Sequence, residues 1–315
     1  MSESPLYDLI ILGAGPAGLA AGLYAGRARL RTLILEKGVS GGQIVNTAEI
    51  ENYPGQLLEH ETGESLTARM AEQCRAFGAE IRRDAIRVAH LDGPVKVLES
   101  RKNRYTAKAV LIATGATPKP IGCAGEAEYS GRGVSYCATC DGNFYQDMHT
   151  LVAGGGDSAV EEALFLTRFA RRVTLVHRRN ALRAARSIQE KAFANPKIDF
   201  MWDSVIEAVG GEPLLGWADV RNVKTGAVTR VEKAEGEPKL GVFGFVGNVP
   251  ATALFEGAVE MQSGYIVTDA AMNTSRPGVF AAGDVRVTPL RQVVTACADG
   301  AIAATSAEKY IEGLA

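Results

Sequence analysis

Two glycine-rich turns, each between a strand pattern and a helix pattern, constrain the fold of this sequence most. The first turn, residues 13–18, follows an apolar run over residues 7–12, and the second, residues 154–159, follows residues 151–153. A strand, a tight glycine turn, a helix and a second strand make a βαβ unit that binds dinucleotides, because glycines let the backbone approach a pyrophosphate at the helix N-terminus. The sequence therefore predicts an α/β fold with two Rossmann-like dinucleotide-binding domains.

The last part of the chain predicts that one domain is inserted into the other. Residues 278–284 have the pattern of a strand that ends in a Gly-Asp turn, and residues 292–312 that of a long Ala-rich helix. A single strand and helix must join an existing sheet, and the sheet of the first domain is the best candidate. We therefore expect the first domain to be discontinuous.

The stiff segment Pro118-Lys119-Pro120 marks the first domain boundary, because proline fixes the backbone and disfavours a continuing strand or helix. Residues 198–232 are expected to form short strands, with turns at Gly210-Gly211 and at residues 224–226. The predicted domains are a discontinuous first domain of residues 1–118 and 248–315, and an inserted second domain of residues 119–247.

The residues at the ends of the two second strands predict which nucleotide each domain binds. Glu36 ends the strand of residues 32–36, where an acid can accept hydrogen bonds from ribose hydroxyls. In the second domain this place has His177-Arg178-Arg179, with Arg183 four residues further on. Arginines can bind a 2′-phosphate that an acid would repel. We therefore predict NADPH rather than NADH for the second domain.

The pair Cys137 and Cys140, followed by Asp141, predicts redox chemistry. Two cysteines with this spacing can close a small disulfide ring, and a helix start lowers the pKa of a thiol. A zinc site would need two further ligands, and the four histidines have no ligand spacing. Asp141 can supply a proton to a leaving thiolate. The alternative for Asp141 is a helix N-cap or turn acid.

The other cysteines and the charge balance limit the cellular compartment and the classes of partner to be expected. Cys74, Cys123 and Cys297 have no partner at a redox spacing and are expected to be buried and inert. One CxxC pair among five cysteines favours a reducing, cytoplasmic compartment. With 34 basic and 36 acidic residues, the chain shows no sign of a nucleic-acid or membrane-surface partner. The first residues lack a signal-peptide pattern, and no apolar run is long enough to span a bilayer.

Over essentially its whole length the sequence resembles the low-molecular-weight thioredoxin reductases. The segments that carry the resemblance are residues 13–18, 41–43, 51–55, 113–115, 137–142, 154–163, 177–183, 278–284 and 291–293. Each is weakly specific alone, and together they are highly specific. The resemblance implies a homodimer that binds FAD and NADPH, with thioredoxin or a thioredoxin-like protein as partner. It also implies that Cys140 faces the flavin, that Cys137 exchanges with the substrate disulfide, and that Asp141 is the acid.

The glycine turns, the strand ends and the resemblance together give two sets of candidate cofactor residues. The FAD set is Gly13, Gly15, Pro16, Ala17, Gly18, Glu36, Lys37, Gly42, Gln43, Asn52, Ala113, Thr114, Gly115, Gly283, Asp284, Arg291, Gln292 and Val293. The NADPH set is Gly154, Gly156, Asp157, Ser158, Ala159, His177, Arg178, Arg179 and Arg183. No metal ligand is expected.

One position departs from the family pattern. Members often have two phenylalanines after Cys-Asp-Gly that receive thioredoxin, whereas this chain has Asn143-Phe144. A different redoxin or a peroxiredoxin-system partner is therefore an alternative. Two further alternatives are an NADPH–flavin reductase without disulfide chemistry, such as a ferredoxin-NADP reductase or a flavin monooxygenase, and a non-catalytic flavin-binding regulator. Both leave the CxxC pair without a role.

Chain order also predicts motion. The cysteine pair lies just before the first strand of the inserted domain, so disulfide and nicotinamide would share one domain and compete for one flavin. We expect the inserted domain to rotate as a rigid body about linkers near residues 118–120 and 244–247.

Overall fold

The structure, a computed structural model, describes residues 5–46, 50, 52–56 and 61–314, without the side chains of Thr139 and Cys140. The chain divides into two compact units. Unit 1 comprises Met1–Thr117 and Val249–Ala315, and unit 2 comprises Pro118–Asn248. The boundaries predicted from the sequence lie one residue from these divisions.

The elements within the described residues are numbered in chain order. The strands are β1 (Leu6–Leu12), β2 (Thr32–Glu36), β3 (Glu80–Arg83), β4 (Val88–His90), β5 (Lys96–Glu99), β6 (Arg104–Ile112), β7 (Ala116–Pro118), β8 (Val134–Ser135), β9 (His149–Gly154), β10 (Arg172–Val176), β11 (Ile198–Met201), β12 (Ser204–Gly210), β13 (Trp217–Asn222), β14 (Val228–Glu232), β15 (Gly241–Phe245), β16 (Asn248–Pro250), β17 (Met261–Gln262), β18 (Tyr265–Ile266) and β19 (Val279–Ala281). The helices are α1 (Pro16–Arg27), α2 (Gly63–Ala76), α3 (Ala138–Asp141), α4 (Asp157–Leu166), α5 (Arg186–Ala194) and α6 (Val293–Glu312).

Unit 1 is built on a seven-stranded sheet in the order β3-β2-β1-β6-β5-β4, with β19 also paired to β6. The central strand β1 is parallel to β2 and β6, and Ile10 lies beside both Leu33 and Val110. Its apolar run is buried on both faces, as expected of a parallel strand covered on two sides. Because β19 joins β6 in parallel, the predicted return of the chain end to the first sheet is confirmed.

Helix α6 packs closely on α1 because the contact is lined with small residues. A Cβ atom on Gly300 would overlap the carbonyl oxygen of Ala17 and lie 3.0 Å from its carbonyl carbon. Only glycine allows this approach, which brings the last helix of the chain against the helix that follows the first glycine turn. Residues almost 300 positions apart in sequence therefore help to build one surface of unit 1.

Unit 2 has a five-stranded sheet in the order β11-β10-β9-β15-β8, with parallel pairing throughout. Beside it lies the antiparallel sheet β12-β13-β14. These short strands, and the turn at residues 224–226, confirm the prediction for residues 198–232. Helix α4 packs against the sheet between β9 and β10 and completes the second βαβ unit.

The chain passes between the units through two neighbouring segments, β7 and β16, which pair as a two-stranded ribbon. In unit 1 the Thr117 hydroxyl donates to the Val249 carbonyl at 3.4 Å. In unit 2 the Lys119 N–H donates to the Gly247 carbonyl at 2.8 Å. The two chain crossings are thus held side by side.

None of the helices in the described part of the chain is long and apolar enough to span a membrane.

Candidate active site

The first glycine turn leaves the N-terminus of α1 open to a ligand. Helix α1 begins at Pro16 with Gly15 as its N-cap, and no side chain caps it. Gly13 has a φ of 109°, and a Cβ there would overlap the Ala113 carbonyl oxygen. A Cβ on Gly42 would lie only 3.0 Å from the Gly15 Cα. The uncapped N–H groups and the bare backbone around them fit a pyrophosphate.

Glu36 lies at the end of β2, where the sequence predicts it, and it also holds the turn together. One carboxylate oxygen accepts the Ala14 N–H at 2.9 Å, and the other accepts the Gly38 N–H at 2.8 Å. Each oxygen keeps a further lone pair for a hydroxyl. Glu36 can therefore orient the turn and bind a ribose at the same time. The neighbouring Lys37 is exposed.

The end of the chain contributes polar groups to the same unit. The Asn52 side-chain amide donates to the Gln292 side-chain oxygen at 3.0 Å, joining residues 240 positions apart. Gln292 is the N-cap of α6, and Val293 is its first, buried residue. The hydroxyl of Ser40 and the Nε of Arg291 are buried without a hydrogen-bond partner. Such unsatisfied groups are costly unless a ligand satisfies them, so they fit a polar cofactor.

Two other segments of the candidate FAD set, around Thr114 and around Gln43, belong to the same unit. The Thr114 hydroxyl donates to the Ala251 carbonyl at 2.8 Å, and Gly115, at a φ of 68°, accepts the Ala251 N–H at 2.9 Å. Gln43 lies in a 3-10 helix over Gly42–Asn46.

An ion pair that the sequence analysis missed fixes the Gly283-Asp284 turn. The Asp299 carboxylate accepts the Gly283 N–H at 3.1 Å and pairs with the Arg286 guanidinium at 3.1 Å. Burial raises the pKa of Asp284 itself, while Arg291 lowers it. In the sequence, Asp299 is one charged residue among the small residues of α6, and this pattern does not predict its contacts with Gly283 and Arg286.

The second glycine turn has the same geometry around α4, which begins at Asp157 with Gly156 as an extended N-cap. The imidazole of His177 packs beneath the turn, where a Cβ on Gly155 would overlap the ring. His177 is 4% exposed, and its Nε2 is buried without a partner. Burial, and then Arg183, lower the pKa of this histidine and keep it neutral. His177 thus supports the turn from below.

The arginines predicted for NADPH lie at the surface near this turn. Arg178, Arg179 and Arg183 are exposed, and in the described part of the chain none of the three forms an ion pair. The Arg183 backbone N–H donates to the Gly155 carbonyl at 2.7 Å. The Asp157 carboxylate accepts the Ala185 N–H at 2.6 Å. Cations beside an open helix N-terminus fit a phosphate-bearing nucleotide.

The cysteine segment follows β8 and precedes β9. Cys137 is disulfide-bonded. Its backbone N–H donates to the Ser135 hydroxyl at 3.1 Å, and that hydroxyl contacts the Cys137 carbonyl at 3.2 Å. The side chain of Cys140 lies outside the described atoms. Asp141 ends α3 and is the N-cap residue of the 3-10 helix Gly142–Tyr145, where its side chain makes no capping hydrogen bond.

A lysine from a distant part of unit 2 lies beside this segment. The Lys239 ammonium is 4.1 Å from the ring centre of Tyr145 and 5.8 Å from that of Phe144. Burial lowers the pKa of Lys239, and the nearby Asp141 carboxylate raises it. Phe144 is 63% exposed and Asn143 is also exposed. The rim next to the disulfide therefore has one accessible ring with a cation above it.

Helix α4, which packs on α3, also contains a partly buried acid that the sequence alone does not single out. One carboxyl oxygen of Glu162 is buried without a hydrogen-bond partner. Burial, and then the charge of Glu161, raise the pKa of Glu162 to about 7.

The remaining cysteines are free. Cys74 is buried, and Cys123 and Cys297 are partly buried. Burial raises the pKa of both Cys74 and Cys123 to about 11, so both thiols stay protonated at neutral pH. No cluster of three or more potential metal ligands is present among the described residues.

Comparison with known proteins defines the class to which this fold and this disulfide belong. The family model "Pyridine nucleotide-disulphide oxidoreductase" matches residues 7–300. The chain therefore belongs to the pyridine nucleotide-disulphide oxidoreductases.

Particular relatives narrow this class. The chain is 55% identical over 308 residues to a thioredoxin reductase of Peptoclostridium acidaminophilum, covering 98% of each chain. It is 46% identical over 320 residues to the Bacillus subtilis thioredoxin reductase, covering 100% of this chain and 98% of the relative. Among solved structures, Lactococcus lactis thioredoxin reductase is 43% identical and superposes with a TM-score of 0.92, covering 98% of this chain and 99% of the other. The resemblance seen in the sequence motifs, and the two Rossmann-like domains it implied, are confirmed.

Proposed function

We propose that this chain is an NADPH-dependent, FAD-containing thioredoxin-disulfide reductase. The observation that carries the proposal is the disulfide at Cys137, set directly before the first long strand of the unit that carries the unpaired arginines. When bound, FAD would supply the chemistry that passes two electrons from NADPH to the disulfide. Full-length relatives named thioredoxin reductase support this assignment.

Each cofactor has a set of residues suited to it. In unit 1 the open N-terminus of α1, Glu36 and the Asn52–Gln292 pair are suited to FAD. In unit 2 the exposed Arg178 and Arg179 at the end of β10 are suited to the 2′-phosphate of NADPH.

The cysteine segment performs the exchange with the protein substrate. The reduced Cys137 thiolate attacks the partner disulfide, forms a mixed disulfide and releases one partner thiolate, which takes a proton from Asp141. The Cys140 thiolate then attacks the Cys137 sulfur, releases the second partner thiolate and restores the Cys137–Cys140 disulfide. One disulfide is thereby reduced and one is formed.

The two half-reactions require unit 2 to present different parts of itself to the flavin. Its disulfide and its nicotinamide site belong to one unit, and the partner must also reach Cys137. Rotation about the ribbon of β7 and β16 meets these demands in turn.

The partner is thioredoxin or a thioredoxin-like protein, and the enzyme acts as a cytoplasmic homodimer. A different redoxin is the second candidate, because Asn143 and Phe144 offer one exposed ring where relatives often have two.

The test is NADPH-dependent turnover with a panel of oxidised redoxins that includes thioredoxin and a peroxiredoxin-linked redoxin. Thioredoxin is expected to give the largest kcat/KM. Preference for another redoxin would move the assignment to the second candidate. NADPH oxidation without reduction of any disulfide would contradict both.

A further inference from the structure

The acid Glu126 connects the segment by which the chain enters unit 2 with the residue before the redox cysteine. It is 7% exposed. One carboxylate oxygen accepts the Ile121 N–H at 2.6 Å, and the other accepts the Gly122 N–H at 2.6 Å and the Cys123 N–H at 3.3 Å. The Tyr136 hydroxyl donates to the first of these oxygens.

These four donors match the four lone-pair directions of a carboxylate, so Glu126 is fully satisfied although it is buried. Three donors come from the entry segment, and the fourth comes from the residue directly before Cys137. Burial, and then the hydrogen bond to Glu126, raise the pKa of Tyr136, so its hydroxyl stays protonated and remains a donor.

The segment by which the chain leaves unit 2 contacts both Tyr136 and the entry segment. A Cβ on Gly244 would lie 2.8 Å from the Tyr136 ring and 2.9 Å from the Ile121 side chain. Gly247, three residues later, accepts the Lys119 N–H at 2.8 Å. Glu126, Tyr136 and Gly244 thus form a junction, here called the entry latch, where both crossing segments and the redox segment are in contact.

We propose that the entry latch positions Cys137: the bond between Glu126 and Tyr136 ties the redox segment to the two crossing segments, so that the disulfide follows the movement of the linkers. Glu126 and Tyr136 are positioning residues and take no part in bond exchange. The proposal rests on the proposed function, because it concerns delivery of the disulfide to the flavin.

The latch predicts which half-reaction fails when it is broken. Electron transfer to the disulfide needs Cys137 and its partner cysteine in a fixed place, and an error of about 1 Å in such a placement can cost about a hundredfold in rate. Hydride transfer from NADPH depends on the turn of residues 154–159 and on the arginines, with which the Glu126–Tyr136 bond shares no residue. Breaking the latch should therefore slow one half-reaction alone.

The test compares Tyr136→Phe with Tyr129→Phe in the full-length holoenzyme. The control Tyr129 is buried in unit 2, whereas Tyr136 is partly buried, and the Tyr129 hydroxyl donates to the Gly211 carbonyl and accepts the Gly211 N–H at 3.0 Å, away from the crossing segments. Rapid mixing measures flavin reduction by NADPH and the subsequent reduction of the disulfide, counted as new thiols. Tyr136→Phe is expected to slow disulfide reduction roughly ten- to a hundredfold and to leave flavin reduction unchanged. Tyr129→Phe should change neither.

A second variant protects the test against a folding defect. Glu126→Gln replaces one acceptor oxygen with an amide that cannot accept from the entry-segment N–H groups, so it should give the same split. The two variants combined should be less than additive, because they break one bond. Equal slowing of both half-reactions, or no difference from the control, would overturn the proposal. Failure of the wild-type enzyme to reduce thioredoxin would instead contradict the proposed function, since the half-reaction rates need no protein partner.

Discussion

The two glycine turns of this chain have nearly the same backbone and opposite side chains at the end of the following strand. Both α1 and α4 begin at a glycine N-cap without a side-chain capping bond. After the first turn β2 ends in the acid Glu36, whereas after the second β10 is followed by His177 and Arg178. In the proposed function the shared backbone is suited to a pyrophosphate, and the side chains at the strand end are suited to one nucleotide or the other. Selectivity in this architecture is therefore a property of a few side chains.

The two units differ most at the disulfide, which only unit 2 carries. Cys137→Ser and Cys140→Ser should each abolish NADPH-dependent disulfide reduction, because either change removes the disulfide, while flavin reduction by NADPH remains measurable. Absorbance spectra of the reduced variants should show a thiolate–flavin charge-transfer band only where Cys140 is retained. A band in the variant that retains Cys137 alone would reverse the two roles.

The role of the arginines that follow β10 can be tested by removing one of them. Arg178→Ala should raise the KM for NADPH about ten- to a hundredfold, because a charge-assisted hydrogen bond contributes about 1.5–3 kcal/mol. The KM for NADH should hardly change, and steady-state kinetics with both nucleotides measure this. Arg172→Ala is a suitable control, since this exposed arginine is paired with Asp199 at the opposite end of β10. An equal effect on both nucleotides would show that Arg178 does not contact the 2′-phosphate.

Removing the acid at the end of β2 has a smaller expected effect on nucleotide binding. Glu36→Ala removes two hydrogen bonds to backbone N–H groups of the turn and should weaken FAD binding about tenfold, at about 0.7 kcal/mol for each bond. The dissociation constant of FAD, measured by flavin fluorescence after removal of the cofactor, checks this. Binding of NADPH to unit 2 should be unaffected. A parallel loss of NADPH binding would show that the two nucleotide sites are not independent.

The helices after the two turns also differ, since α1 contains no acid and α4 contains the partly buried Glu162. Its pKa is raised to about 7 from the model-compound value of 4.5, so folding takes up a proton between these pH values. Its contribution to stability is full below pH 4.5 and is lost as pH rises through about 7. Glu162→Gln should therefore be more stable than the wild type at pH 8, by up to about 3 kcal/mol, and nearly equal to it at pH 4.5. Thermal unfolding at both pH values measures the difference, and equal stability at pH 8 would mean that Glu162 ionises freely.

The sequence predicted the features that depend on neighbouring residues. The glycine turns, the acid Glu36 and the arginines after β10 lie in short segments whose order is visible in the chain. The return of β19 to the first sheet was also predictable, because a lone strand must pair.

The features that were not predicted depend on distant residues or on burial. The Asn52–Gln292 bond spans 240 positions, and the Asp299 carboxylate is recognisable only once α6 lies against the Gly283 turn. The position of Lys239 above Tyr145 and the four donors of Glu126 likewise follow from packing. A single sequence gives no pattern for such contacts, because any exposed lysine or loop acid looks the same.

The ribbon of β7 and β16 has a consequence for the order in which the protein is made. Because β16 leads back to unit 1, residues 118–248 leave the ribosome before β19 and α6 exist. Domains generally fold as units during synthesis. Unit 2 can therefore complete its sheet while unit 1 still lacks β19, the Gly283 turn and Gln292. The nascent chain therefore completes unit 2 first and unit 1 only when the last helix has emerged.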